Sequence, residues 1–538
     1  MRVTLSCLLA TLALTGCPRP YGEPDGGDDG GVPMGDASVD AGPPPGDAGP
    51  LPEMSEPTPP AEIVSMGTAG LLLRGTVLAP DEVIAPGEVL VVGQEIVCVA
   101  ASCAGEPEAS TATVIETNGI ISPGLINAHD HITYDFLPEW EPGMLFQNRD
   151  EWPATMSYQD HVAPRQDDPV DPMDGLYGQT DTERQCAGAV WGELRSIIHG
   201  TTTVQGQTVS RTCFDRLARN AENYHGLSFG NGNLRTSVRS VEINSADAIG
   251  YADSFVRTTN RAQRFAVHMQ EGISGLEDEF ESWAGRPPSG HEGLSLLEFM
   301  GSYMGMSYDY RGVSVLIHSV SLTDAQLVEV AATGSHIVWS PSSNLALYGE
   351  TADIARILEL DISLALGPDW TPSGEDEMLS EMRFADAYGR ANGVTALTAE
   401  RLWRMATSSG AYVLAMDSAV GTLAPGMRAD IAVFGRRGQD PYRALMDSRA
   451  QDVRLVLIDG AGYYGDAALE AATAVNAECD SIDACGTSKY LCVANVPQAD
   501  GDPSSEAGHL DDLRQNLEDM ISRYASQGAE LLDLIACE

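Results

Sequence analysis

Between Ile120 and Ala415 the chain alternates short apolar runs with longer stretches of helical spacing. Runs bounded by Gly, Pro or Asp read as β-strands. They are expected at Ile121 to Ala128, Thr201 to Gln205, Arg235 to Ile243, Phe265 to Met269, Val313 to Ser319, His336 to Ser340 and Ile362 to Asp369. Helices are expected at Cys213 to Tyr224, Asp324 to Ala332, Met378 to Ala391 and Ala399 to Ala415. Strand followed by helix, repeated, implies a parallel α/β fold. The third and fourth strands are hard to separate between Gly206 and Arg264, where one helix-length segment stands out.

The flanks have a different pattern. Leu71 to Leu73, Val89 to Val92 and Ile96 to Val99 on one side, and Ala429 to Phe434 and Val453 to Ile458 on the other, are strand-like runs separated by turn residues. The two stretches are expected to form one small β-domain built from both ends of the catalytic domain. Beyond Ala471 the chain contains cysteines and then an amphipathic stretch, Leu510 to Ile535, expected to be helical.

The net charge of −47, from 31 basic and 78 acidic residues, disfavours nucleic acid and anionic membrane surfaces as partners. Val3 to Leu14 is apolar but too short to span a bilayer. It ends in Leu14-Thr15-Gly16-Cys17, which resembles a bacterial lipoprotein signal and implies lipidation at Cys17. The protein is then exported and lipid-anchored, at the outer membrane or cell surface, and that anchor is its sole membrane contact. Residues 17–60, rich in Gly, Pro and Asp, read as a flexible tether. The eight cysteines from Cys98 onward suit disulfides in an exported chain. Proximity favours Cys98 with Cys103 and Cys186 with Cys213, and leaves the pairing of Cys479, Cys485, Cys492 and Cys537 open.

Candidate chemistry sits at strand ends. In Asn127-Ala128-His129-Asp130-His131 the two imidazoles, two residues apart, face one centre. That suits a metal, although His-x-His alone is weak evidence. His268 ends the run Phe265 to Val267, His318 ends Val313 to Ile317, and Asp369 ends Ile362 to Pro368. In a (β/α)8 barrel these ends form the catalytic face.

At this point the chain resembles the amidohydrolase superfamily, in its cytosine deaminase and triazine chlorohydrolase branch. Pro123 to His131 is similar to the first-strand motif, and His199-Gly200-Thr201-Thr202-Thr203 to the second-strand entry. His268 with Glu271 matches a His-x-x-Glu element, and His318 with Leu322-Thr323-Asp324 fits the sixth strand. Ser340 to Leu345 resembles the seventh-strand turn, and Gly367-Pro368-Asp369 with Glu381-Met382-Arg383 the eighth. Ala406 to Ala411, Gly421 to Leu423 and Gly426 to Asp430 resemble the C-terminal signature, so the likeness runs from about residue 68 to 465.

The resemblance implies a (β/α)8 TIM barrel (120–420) with a small β-sandwich domain from the flanking segments (61–119 and 421–470). A signal peptide (1–16) and tether precede them, and a cysteine-containing extension (471–538) follows. It implies one divalent metal, Zn²⁺ or Fe²⁺, held by His129, His131, His268 and Asp369. Metal coordination lowers the pKa of a water and delivers hydroxide. Asp369 takes a proton from that water, Glu271 protonates a ring nitrogen of the substrate, and His318 holds the hydroxide or polarises the bond under attack. Binuclear members need a barrel lysine, and the one lysine here, Lys489, lies beyond the barrel. The Pro-Cys-x-x-Cys motif of the separate zinc deaminases is absent.

Other histidines (His161, His225, His291, His336, His509) fall off the matched positions and read as surface or structural residues. Trp140, Arg149 and Trp152 in the first loop, and Trp370 beside Asp369, are candidates to line the pocket for a small-molecule substrate; a self-packed loop is the competing reading. Deamination of a small nitrogen heterocycle is the expected reaction. The alternatives are imidazolonepropionase-like opening of a cyclic amide, and an inactive surface binding protein. Oligomeric state is not legible.

Overall fold

The computed structural model describes residues 55–163, 182–206, 217–222, 234–237, 264–284, 314–493, 509–522 and 530–537. Cys17 and residues 17–54 of the tether, the Cys186–Cys213 pairing, His225, His291 and part of the expected strand Arg235 to Ile243 lie outside them. The tether's expected end at residue 60 is corrected, since Glu56–Pro57 pairs antiparallel with Arg436–Arg437.

Short parallel strands carry the α/β part. β1 (Leu125–Asn127), β2 (Thr201–Val204) and β3 (Arg219–Asn220) form a three-stranded sheet. β4 (Leu234–Ser237), β5 (Arg264–Met269), β6 (Ser314–His318), β7 (His336–Trp339) and β8 (Ser363–Leu366) form a five-stranded one. Every pairing in both is parallel. The Ala128 amide donates to the Leu366 carbonyl at 3.1 Å, and Asp130 bridges to Asp369, so β8 also lies beside β1. Alternation sorts the side chains. Ala266, Val315, Ile317, Val338 and Ala365 pack with Ile126 and Leu414 into one small core. Their neighbours Val267, Leu316, Ile337, Leu364 and Leu366 join the main core on the other face. Burial on both faces explains why these strands read as continuous apolar runs.

Helix ends follow local chemistry. Thr323 and Gln326 form a reciprocal capping box at the start of Asp324–Thr333, and Gly334 closes it in the left-handed region at φ 67°. Glu377 caps Met378–Ala391 through the amides of Leu379 and Ser380.

Four expectations about elements need correction. The run Ile121 to Ala128 serves two sheets: Thr113–Pro123 belongs to the flanking sheet, and β1 starts at Leu125. The helix expected from Cys213 to Tyr224 instead contains β3, whose Arg219 is fully buried against Asp430 and Asp459. Ion pairing hides polar residues in a strand that hydrophobic periodicity cannot register. The helix Ala399 to Ala415 is two, Ala399–Met405 and Ser408–Val413, because the Ala406 carbonyl turns to accept from the Ile126 amide at 2.7 Å. The C-terminal helix, Leu510–Ile521, stops short of Ile535.

The two flanks join in one ten-stranded sheet. Ile431–Phe434 pairs antiparallel with Thr113–Pro123, which ties the C-terminal segment to the N-terminal one. The sheet extends past residue 470 through Thr487–Leu491 and Asp480–Ala484. Disulfides link Cys98 with Cys103, as proximity suggested, and also Cys479 with Cys492 and Cys485 with Cys537. The last of these holds a terminal segment whose Leu532 exchanges hydrogen bonds with the Phe136 carbonyl and the Trp191 indole. No helix among the described residues is long and apolar enough to cross a membrane.

Candidate metal centre

The expected chemical residues converge where the parallel strands end. His129 and His131 follow β1, His268 lies near the end of β5, His318 ends β6, and Asp369 lies in the turn after β8. Several strand ends leave the β region at once: Gln270, His318, Ser319 and Asp369 have φ of 43°, 68°, 55° and 82°. Such non-glycine conformations cost roughly 1–3 kcal/mol each and persist where the surroundings over-determine them. At Asp369 the constraint is visible. Its amide donates to the His129 carbonyl at 3.1 Å, and its carbonyl accepts from the His131 amide at 2.6 Å. Gly367 makes this approach possible, since a Cβ there would lie 2.5 Å from the His129 nitrogen.

His129 Nε2 and His131 Nε2 lie 3.1 and 3.4 Å from Asp369 Oδ1. The His129 ring centroid is 4.8 Å from that of His268 and 5.2 Å from that of His318. Ligand atoms of His129, His131 and Asp369, and those of His129, His268 and His318, fall within 4.8 Å of one another. Burial and then the charges of neighbouring rings hold His268 well below its ordinary pKa. Burial lowers His131 to about 4 and His318 to about 3. The rings of His131, His268 and His318 are therefore neutral near pH 7. Burial works against ionisation of Asp369, but the His129 hydrogen bond and the surrounding rings outweigh it and keep the carboxylate charged. Neutral imidazoles around one carboxylate are a donor set that fits a divalent metal.

Hydrogen bonds decide which ring nitrogen faces the centre. Gln205 Nε2 donates to Glu222 at 2.8 Å, which turns its oxygen to His129 Nδ1 at 3.2 Å. When a metal takes the place of the Nε2 proton that bonds Asp369 Oδ1, Nδ1 keeps its proton on Gln205 and Nε2 offers its lone pair to the ion. His318 is the reverse. Asn344 Nδ2 lies 3.0 Å from His318 Nδ1, while Asn344 Oδ1 accepts from Thr351 at 3.2 Å. Nδ1 therefore accepts, and the proton of the neutral ring sits on Nε2. That Nε2 is buried without a hydrogen-bond partner and lies 3.7 Å from Glu271 Oε2. Its N–H suits an oxygen of a reacting molecule better than a metal ion. Burial raises Glu271 to about 8, against the pull of Arg149, so the carboxyl carries a proton at neutral pH.

The pocket candidates divide. Trp370 stands 6.1 Å from the His131 ring and so adjoins the histidines, while Trp152 packs behind it at 5.9 Å and on Tyr158 in its own loop. Trp140 instead packs within its own loop on Phe146 and Tyr158, as the competing reading held. Arg149 is paired with Glu279, so its charge is already engaged within the protein. Lys489 is buried in the ten-stranded sheet with Asp466 at 2.6 Å. His161 and His509 are exposed, and His336 is buried against Tyr412. Sequence reasoning missed the roles of Gln205, Ser343, Asn344 and Tyr348. Asn344 and Tyr348 stand four residues apart on the helix Pro341–Tyr348, and that spacing on a buried helix was a usable signal.

Among curated proteins, the chain is 25% identical over 405 residues to a 5′-deoxyadenosine deaminase of Methanothermobacter thermautotrophicus, covering 66% of this chain and 85% of that one. It is 25% identical over 362 residues to a 5-methylthioadenosine/S-adenosylhomocysteine deaminase of Desulfitobacterium hafniense, covering 63% and 80%. Its fold is similar to that of the atrazine chlorohydrolase of Arthrobacter aurescens complexed with zinc. There the TM-score is 0.51 at 19% identity, over 73% of this chain and 95% of the other. The model of the Amidohydrolase family matches residues 120–461, and the chain belongs to that family.

Proposed function

We propose that this enzyme removes an amino group hydrolytically from a small nitrogen heterocycle, with one divalent metal, Zn²⁺ or Fe²⁺, held by His129, His131, His268 and Asp369. The observation that carries the reading is geometric: His129, His131, His268 and Asp369 converge at the strand ends, and Glu271 Oε2 lies 3.7 Å from His318 Nε2 beside them, with Glu271 and Asp369 shifted in opposite directions from the usual carboxylate range. Two groups pushed apart in pKa supply a base and an acid. The family membership and the deaminase relatives agree with it.

A metal bound there supplies Lewis acidity that makes a water acidic enough to attack near neutral pH. Asp369 accepts one proton of that water as its oxygen adds to the carbon bearing the amino group. Glu271 gives its proton to the adjacent ring nitrogen, so the electron pair of the C=N bond has a place to go. His318 Nε2–H donates to the incoming oxygen. The proton on Asp369 then passes to the amino group, the C–N bond breaks and ammonia leaves, while the proton of the added hydroxyl passes to the Glu271 carboxylate, which restores the acid and leaves a carbonyl. Trp370, beside the His131 ring, suits a planar ring at this centre.

The same reading includes a closed (β/α)8 barrel, supported by the Asp130–Asp369 bridge between the first and eighth strands. It includes a flanking sheet that curls into a sandwich, supported by one core drawn from Leu73, Val89, Ile121, Val433 and Leu455. Export and a lipid at Cys17 are also part of it. The three disulfides suit an oxidising compartment, and a Cys17→Ser chain that still incorporates labelled palmitate would dismiss the anchor.

The test is ammonia release from cytosine, guanine, adenosine and 5′-deoxyadenosine by the metal-loaded protein, beside an Asp369→Asn variant. Release by the wild type alone supports the reading. No release from any member, with metal in place, rejects it.

A further inference from the structure

The helix Pro341–Tyr348 contributes a hydrogen-bond partner to each of the three groups assigned to proton handling. Ser343 donates to Asp369 Oδ2 at 2.7 Å, Asn344 to His318 Nδ1 at 3.0 Å, and Tyr348 to Glu271 Oε1 at 2.7 Å. Behind each partner stands an indole. Trp370 Nε1 donates to Ser373 at 2.6 Å, and Ser373 lies 2.9 Å from Ser343. Trp339 Nε1 donates to Thr351 at 2.7 Å, and Thr351 to Asn344. Trp152 Nε1 donates to Tyr348 at 3.2 Å.

An indole N–H can only donate, whereas a hydroxyl can donate or accept. An indole at the head of a chain therefore leaves each following hydroxyl one direction for its proton. All three chains run toward the site and end on an acceptor. Each occupies one atom of its group and leaves the counterpart to the centre. Asp369 Oδ1 faces His129 and His131, His318 Nε2 has no partner, and Glu271 Oε2 faces His318.

We propose that Tyr348 is a positioning residue for Glu271, and that Trp152 acts through it by fixing the direction of the phenol proton. The pair assigns the mobile proton of Glu271 to Oε2. The proposal rests on the reading of Glu271 as the proton donor, and it gives Trp152 a role different from that of a substrate-stacking ring. It also couples the first loop to the acid. Trp152 lies on that loop, which an Asn148–Gly272 bridge pins to the end of β5.

The experiment measures ammonia release with the four substrates above for the wild type, Tyr348→Phe, Trp152→Phe, their double variant and Glu271→Gln. Phenylalanine keeps each site filled and removes the donor. Tyr348→Phe should lower kcat by about tenfold or more, a share of the roughly 10²–10⁴ that a positioned acid contributes, with KM within about twofold. Trp152→Phe should lower kcat less, and the double variant should match Tyr348→Phe alone. A Trp152→Phe effect on KM that adds to that of Tyr348→Phe overturns the chain and makes Trp152 a substrate contact. An unchanged kcat in Tyr348→Phe, with Glu271→Gln inactive, overturns the proposal but leaves Glu271 as the acid. Full activity in Glu271→Gln overturns the underlying reading instead. A crystal structure of Tyr348→Phe gives a readout without turnover: the Glu271 carboxyl should rotate from its present position, and its staying in place refutes the proposal.

Discussion

Replacing Gln205 by methionine tests the centre from behind. Gln205 is buried and is not itself an expected ligand of the metal. Its amide nitrogen is committed to Glu222 at 2.8 Å, so its oxygen is the group that meets His129 Nδ1 at 3.2 Å. Methionine has similar length and volume and cannot accept that proton with comparable strength. The His129 ring is then free to take the other tautomer, in which Nε2 carries the proton and offers no lone pair. Partners of this kind change metal affinity by about 10–100-fold, or about 1.4–2.8 kcal/mol. Removing a metal-binding ring altogether would be far more damaging, so the two cases are separable by size. The assay is competition for Zn²⁺ against a chelator of known affinity, with circular dichroism to show that the fold is retained. Unchanged affinity would refute the tautomer argument, and loss of all binding would mean that Gln205 does more than orient the ring.

Three further outcomes follow from the same geometry. His268→Ala should release the metal on dialysis, against about one metal per chain in the wild type by elemental analysis; two metals per chain would contradict a mononuclear centre. Since burial raises Glu271 to about 8, the proton donor is present below that pH and lost above it, so kcat should fall as pH rises through the region, and a nearby metal cation shifts the fall downward. The same alkaline fall in Glu271→Gln would remove Glu271 as its source. Arg219 lies fully buried between Asp430 and Asp459, where Arg219 Nη2 is 2.9 Å from Asp430 Oδ1. Arg219→Met strands the Asp430 carboxylate, while Asp459 keeps Arg428 at 2.6 Å, and should cost roughly 3–5 kcal/mol in urea unfolding; a loss below about 1 kcal/mol would show that the pair is dispensable.

The sequence alone determined what depends on local periodicity and on residue chemistry. β5 to β8 were legible because strands buried on both faces must be apolar throughout, and the helix after β6 because Thr323, Gln326 and Gly334 mark its ends. The histidines and Asp369 were legible because they stand where apolar runs stop. Tertiary structure decided whatever depends on a distant partner. β3 is polar, and Arg219 can be buried in it because Asp430 and Asp459, more than 200 residues later, neutralise it. The break at Ala406 exists because Ile126 claims its carbonyl, and Arg149 points at Glu279 because the first loop folds back on β5. The protonated nitrogen of each ring was beyond the sequence as well. That choice belongs to Gln205 and Asn344, which the fold brings to His129 and His318 from other strands and helices.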